Sequence, residues 1–348
     1  MRELTINYLP GMTWTWLKMN SCNVKVADES VKGKCEIKLP EDVDTKSNVC
    51  NPEITGGMGP NFDRFMTKSG IDQDIFIVKD LKKIDKPVIM DFKYEKEVQS
   101  VNQVCFNIGE GSEVSVIQDF TSIEGGLAAI QTKVRLKSES SMKLYQIIRV
   151  NEEFSLINDV AVDSLDNSNF ELIQILISGK NVYLGCKDEL QGKESTLNIK
   201  TGYQVKHQGL LDINYNARHT GKNTLSDINV NGVLSEGASK TFRGTIDLVK
   251  GCSGAKGNEM EDVLLMSDDV VNQTIPLILC DEDDVEGNHG ATIGQIPEDI
   301  KNYMMSRGIP GDEIARLMAD SKVLSVVDLV PDEVKVKELH ELFGEEVD

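Results

Sequence analysis

From about Ile75 to Cys280 the chain keeps returning to short runs rich in Val, Ile, Leu, Phe and Tyr, among them VSVIQDF, KLYQIIRV, FELIQILI and FRGTIDLV, separated by Gly, Asn, Ser and charged pairs. Runs of that length between turn formers predict strands, and no helical stripe interrupts them for roughly 200 residues, so the body is mainly β. The turns repeat as well. Gly109-Glu110-Gly111-Ser112, Ser178-Gly179-Lys180-Asn181, Thr220-Gly221-Lys222-Asn223 and Glu236-Gly237-Ala238-Ser239 each precede a new strand. Small and amide residues at recurrent corners suit stacked coils, because a corner needs unusual backbone angles and side chains that stack. Spacing alone leaves a sandwich and a parallel β-helix both open.

The flanks read differently. Residues 1–74 predict a small mixed segment in which Leu9, Trp14, Trp16 and Leu17 form a hydrophobic plug. Gly56-Gly57-Met58-Gly59-Pro60 reads as a loop, since no Lys-Ser or Lys-Thr follows it to hold a phosphate. Phe62, Phe65 and Met66 mark a short helix ending near Gly70. After the β body (75–295), residues 296–348 predict a helical domain. Pro297, Glu298 and Asp299 start the first helix, Ile300, Tyr303 and Met304 form its stripe, and Arg307-Gly308 stops it. Gly311 or Asp312 caps a second helix with Ile314, Leu317 and Met318 on one face. Pro331-Asp332-Glu333 opens a third.

Charge narrows the partners. With 37 basic and 57 acidic residues, a net charge of −20 argues against nucleic acid or an anionic membrane surface as a direct partner. The start, MRELTINYLPGM, is polar and interrupted, and no apolar run is long enough to span a membrane, so a cytoplasmic protein is expected. The seven cysteines are scattered, odd in number and without a CxxC pair, which fits neither a disulfide framework nor a structural zinc site. Most then read as small buried hydrophobes, Cys22, Cys35, Cys50 and Cys105 among them.

The chemistry gathers in PLILCDEDDVEGNHGATIG. Cys280 is expected to end an apolar strand beside a loop of acids, nine residues before His289. Thiolate, imidazole and carboxylate are donors that iron accepts; the competing reading is a buried thiol beside a solvated loop. Gly290 leaves room for a metal beside His289. Cys252, in the turn Lys250-Gly251-Cys252-Ser253-Gly254, is accessible if that turn is exposed. Arg243 sits inside an apolar strand, either paired with an acid at a subunit seam or pointing to solvent. His207 and His219 lack partners at ligand spacing and read as ordinary polar residues. Walker A, GxSxG and HExxH patterns are all absent, so no independent enzyme is predicted.

Three stretches together, Phe242-Arg243-Gly244-Thr245-Ile246, His289-Gly290-Ala291-Thr292-Ile293-Gly294 and Ser306-Arg307-Gly308-Ile309, resemble the SufB/SufD family of iron–sulfur cluster assembly scaffolds. The resemblance implies a right-handed parallel β-helix core, a transient [2Fe–2S] or [4Fe–4S] cluster as cargo, an ABC-type (SufC-like) ATPase as partner, and apo iron–sulfur proteins as acceptors. It implies a homodimer, or a pair with a sister subunit, joined through the β-helix. His289 matches the histidine of the SufD-type HGAT motif, whereas the carboxylates that flank the SufB histidine are replaced by Asn288 and Gly290. Glu261 falls on a SufB cysteine and would be an oxygen ligand rather than a sulfur carrier. Cys186 or Asp188 falls on the internal sulfur-accepting position. Tyr303, Met304, Arg307, Ile314 and Leu317 fall where relatives dock the ATPase. Two readings compete. A β-helical binding or surface protein would show aromatic platforms, which a 5% aromatic content does not favour. A stand-alone metal-dependent hydrolase built on His289 and the acidic loop would turn over without an ATPase and tolerate Cys280→Ser.

Overall fold

The structure is a computed structural model that describes residues 1–11, 13, 15–47, 54–95 and 99–344; Trp14 and Cys50 lie outside the described residues. Short strands open the chain: β1 (Arg2–Ile6), β2 (Cys22–Val26), β3 (Val31–Lys32), β4 (Cys35–Lys38) and β5 (Val43–Ser47), followed by helix α1 (Pro60–Lys68). The body is β6 (Gln73–Val78), β7 (Val88–Tyr94), β8 (Ser100–Ile108), β9 (Glu113–Ser122), β10 (Gly126–Leu136), β11 (Ser141–Arg149), β12 (Phe154–Ser164) and β13 (Asn169–Ser178). It continues through β14 (Asn181–Leu190), β15 (Thr196–Val205), β16 (Leu210–His219), β17 (Leu225–Leu234), β18 (Ser239–Leu248), β19 (Lys256–Leu265), β20 (Val271–Cys280) and β21 (Glu286–Gly294). Helices α2 (Glu298–Ser306), α3 (Gly311–Val327) and α4 (Glu333–Leu342) complete it.

Even-numbered strands from β6 to β20 stack in one parallel sheet and odd-numbered strands from β7 to β21 in a second. The chain therefore winds as a two-faced β-solenoid of about 8 turns, which settles the choice between sandwich and parallel coil. One coil takes about 28 residues, as the in-register Gln118 and Gln146 show. Six successive coils turn one corner with a positive-φ residue followed by a small one: Gly111-Ser112, Glu139-Ser140, Asn167-Ser168, Glu194-Ser195, Asn223-Thr224 and Gly254-Ala255. The hydroxyls of Ser140, Ser168 and Ser195 each donate to the carbonyl three residues back, at 2.7–2.9 Å. These bonds satisfy corner carbonyls that no ladder reaches.

Alternate residues fill the space between the sheets. In the early coils the filling is aromatic, with Phe76 on Phe106 and Phe92 on Phe120 at centroid distances of 5.0 Å and Tyr94 on Phe154 at 5.5 Å. Each fully buried ring contributes roughly 1.5–3 kcal/mol by area removed from water. An axial strip of amides, Gln118, Gln146 and Gln174, runs through the lumen and ends on Tyr215 and Thr201, each polar group bonded to the next.

The flanking segments cover the two outer faces. Ile6, Met58, Phe62 and Met66 pack on Val101, Ala129 and Ile157 of the even sheet, so α1 and its three apolar residues behave as the sequence predicts. Arg243 differs from the expectation of solvent or seam. It is buried on this outer face, donating to Asp212 and to the Met19 carbonyl, both at 2.6 Å. Trp16 is 72% exposed and Leu17 also reaches solvent, so that part of the opening segment is no plug. On the odd sheet, Val323, Val326, Val327 and Leu339 of α3 and α4 pack on Ile173 and Ile175.

Candidate functional site

The two ends of the solenoid are built unlike each other. At the first coil β4 pairs antiparallel with β7 and β5 antiparallel with β6, closing the parallel stack. At the last coil β20 and β21 are the outermost strands of their sheets, each with a backbone edge that pairs with no other strand among the described residues. Cys280 and His289 both belong to this open coil. Cys280 ends β20 as expected, whereas His289 lies within a strand, β21, which the glycine-rich EGNHGATIG does not announce by periodicity. Its strand character comes from pairing with β19 along its whole length, a tertiary contact overriding local preference.

Register decides where these side chains point. Gly290 lies over the exposed Met260 on the outer side, so His289 faces the lumen, in register with Glu259. Cys280 is in register with Leu248, whose side chain joins the cluster containing Cys252 and Ile278, and so also faces inward. Gly287 backs onto Ile278 across the lumen, which puts His289 opposite Pro276. Cys280 and His289 thus share the mouth but stand about four residues apart along it, roughly 13 Å at the strand rise. Among the described residues no group of three or more His, Cys, Asp or Glu side chains could hold a metal ion. One copy of the chain therefore presents donors without closing a ligand set.

Beneath the mouth lies a buried charge cluster. Both Glu261 oxygens are engaged, one by the Lys240 ammonium and the other by the Thr274 hydroxyl at 2.6 Å. Glu261 is thus already committed as a hydrogen-bond acceptor and is not an open oxygen ligand. Burial lowers the Lys240 pKa, opposed by the charge of Glu261. Glu259, two residues earlier on the same inner face, is only 4% exposed. Burial first, then the charge of Glu261, pushes its carboxyl up to about 8. The alternation in KGNEMEDV could have shown it: Glu259 and Glu261 share a face, and in a coil one face is the lumen.

The thiols divide by place. Cys280 is exposed and donates to the Glu282 carbonyl at 3.2 Å. Cys252, expected to be accessible in its turn, is instead buried in the corner below, and burial raises its pKa. Cys186 faces the lumen core, and burial drives its thiol well above the usual range, with Asp188 and Asp159 adding to it. A thiol so held is a weak nucleophile. Asp188 shares that inner face, accepts from Ser164 Oγ at 2.9 Å, and is raised to about 8, chiefly by burial. His219 is buried between the hydroxyls of Thr224 and Ser226 at 2.7 and 2.9 Å, while His207 sits at a surface corner against Glu236 and Glu152.

On the helical domain, α2 buries none of its residues. Tyr303 is 60% exposed, with the Arg307 guanidinium 5.2 Å from its ring centre, and Met305 and Leu317 are also exposed. Ile314 does not belong to that face: it is wholly buried by this chain's own residues. No helix among the described residues is long and apolar enough to cross a membrane.

Residues 92–321 match the family described as SUF system FeS cluster assembly, SufBD core domain. The chain is 29% identical over 192 residues to the iron–sulfur cluster assembly protein SufD of Bacillus subtilis, a match covering 55% of this chain and 39% of that one. It is 28% identical over 156 residues to SufB of the same organism, covering 44% and 33%. With a SufBD family protein of Staphylococcus saprophyticus it shares 23% identity over 252 residues, covering 70% and 53%. The matched segments thus span between a third and about half of these relatives.

Proposed function

Because the chain belongs to the SufBD family of iron–sulfur cluster assembly proteins, we propose that it is a scaffold on which a cluster is built at the open end of the solenoid, between two copies or between this chain and a sister subunit. The observation that carries this reading is the incomplete coil at β20 and β21, which offers a lumen-facing thiol and imidazole that do not meet within one chain. An isologous pairing would set Cys280 and His289 of one copy near those of the other and would cover both bare edges. Soft sulfur and borderline nitrogen donors suit iron and sulfide. Cys252 and Cys186, both buried, would take part only after the corner or the lumen opens.

The apolar, uncovered face of α2 and α3, with Tyr303, Met304, Arg307 and Leu317, supports docking of an ABC-type ATPase. Such a motor can act on the seam only by binding one arrangement of the two copies better than another. Anaerobic reconstitution with iron and sulfide, with and without the ATPase, tests the reading by visible absorption: sulfide-to-iron charge-transfer bands are expected, and folded protein without them in both cases would refute it.

A further inference from the structure

Glu259 is the one carboxylate of the lumen cluster with no hydrogen-bonding partner among the described residues, although it is 4% exposed. Its neighbour Glu261 takes both cationic and hydroxyl partners, Lys240 and Thr274. Room for the unpartnered group is provided by Gly244, opposite it: a Cβ there would lie 2.0 Å from a Glu259 oxygen. The Phe-Arg-Gly-Thr-Ile stretch thus needs its glycine for a carboxylate that has no bond to make within its own coil. The next coil places a candidate donor beside it, with no bond between the two in the structure. Glu259 and His289 are Cα partners in the parallel ladder, about 4.8 Å apart at the usual strand spacing, and both point into the lumen.

We propose that Glu259 is a positioning residue for His289: its carboxyl oxygen accepts a hydrogen bond from one nitrogen of the imidazole ring, leaving the other nitrogen aimed at a metal ion in the open mouth. A buried carboxylate behind a ligating histidine fixes the tautomer and the ring plane and makes the ligand more basic. The inference rests on the reading of His289 as a donor to the iron of the cargo, and it adds the group that holds this donor in place. Lys240 serves Glu261 in the same arrangement, so that only one carboxylate of the two is left for the ring.

The test is an anaerobic titration of the reduced, full-length chain with Co(II), followed by calorimetry and by the ligand-field absorption of the bound ion. Glu259→Gln keeps the shape and removes the acceptor charge; it is expected to weaken Co(II) binding about 10- to 100-fold, the usual size of such a loss, and to shift the ligand-field bands. Glu259→Asp should restore part of the affinity. His289→Ala should lose as much, and adding Glu259→Gln to it should cost nothing more, because the carboxylate acts through the ring. Wild-type affinity and spectrum in Glu259→Gln beside a weakened His289→Ala would overturn the proposal and leave the scaffold reading intact, as would additive losses in the double variant. Co(II) binding that ignores His289→Ala, or no binding by the wild type, would remove the donor itself and both readings with it. Thermal unfolding of each variant separates these outcomes from misfolding.

Discussion

The first and last coils of the solenoid are made from the same two-strand repeat, yet one is finished and the other is not. Around the first coil, β4 and β5 turn antiparallel and stop the stack, and the lumen is filled by Phe76, Phe106, Phe92 and Phe120. At the last, the edges are bare and the lumen holds His289, with Lys240, Glu259 and Glu261 in the coil beneath. Taking charged groups out of water costs several kcal/mol that a pair such as Lys240–Glu261 only offsets, so burial contributes less at this end than among the stacked rings. The difference teaches how the fold divides its labour: apolar packing is concentrated at the capped end, and the donors proposed to hold cargo collect where the coil is incomplete.

The sharpest break in that contrast is in the aromatic stack. Phe106→Ala should cost about 3–5 kcal/mol in denaturant unfolding, whereas Ile293→Ala in the exposed mouth should cost under about 0.5 kcal/mol. Acid provides the next. The His219 ring is held neutral by burial, its pKa lowered from 6.5 to about 4, so the unfolded chain takes up a proton first. Stability is therefore intact above pH 6.5 and falls as the pH drops toward 4, by no more than about 3 kcal/mol. His219 closes a corner in the later half of the stack, so amide exchange should rise in β16 and β17 before β8 and β10.

Association separates the ends next. Ile293→Lys places facing ammonium groups at the proposed seam, where like charges cost several kcal/mol, and should weaken self-association by about 100-fold. Ile37→Lys on the capping strand β4 should leave the sedimentation of the protein unchanged. The smallest effect is at the thiols: Cys280→Ser should reduce cluster retention about tenfold, by replacing a soft donor with a hard one, while Cys35→Ser on β4 should not alter it.

Much of this was legible residue by residue. The corners were legible as corners, though not as those of a coil rather than a sandwich, because Gly111-Ser112 and Asn223-Thr224 need positive φ and a short hydroxyl whatever lies above or below them. Cys280 as a strand end and α2 as a helix that starts behind Pro297 and stops at Arg307-Gly308 were also readable from local pattern. β21 was not, since Gly287, Gly290 and Gly294 carry no strand preference and only the ladder to β19 makes them one. Glu259 and Arg243 failed for a related reason. A charge in an alternating strand ordinarily faces water, and only the closed coil for one, and the N-terminal segment for the other, turns that face into an interior.

The central claim is that the open coil is completed by a second copy and holds cluster iron only then. Mössbauer spectra of ⁵⁷Fe-reconstituted wild type and Ile293→Lys, each with its sedimentation recorded, test it most directly. A cluster signal in the associated wild type that is lost in the monomeric variant is the predicted result; the same signal in a folded Ile293→Lys monomer would contradict it.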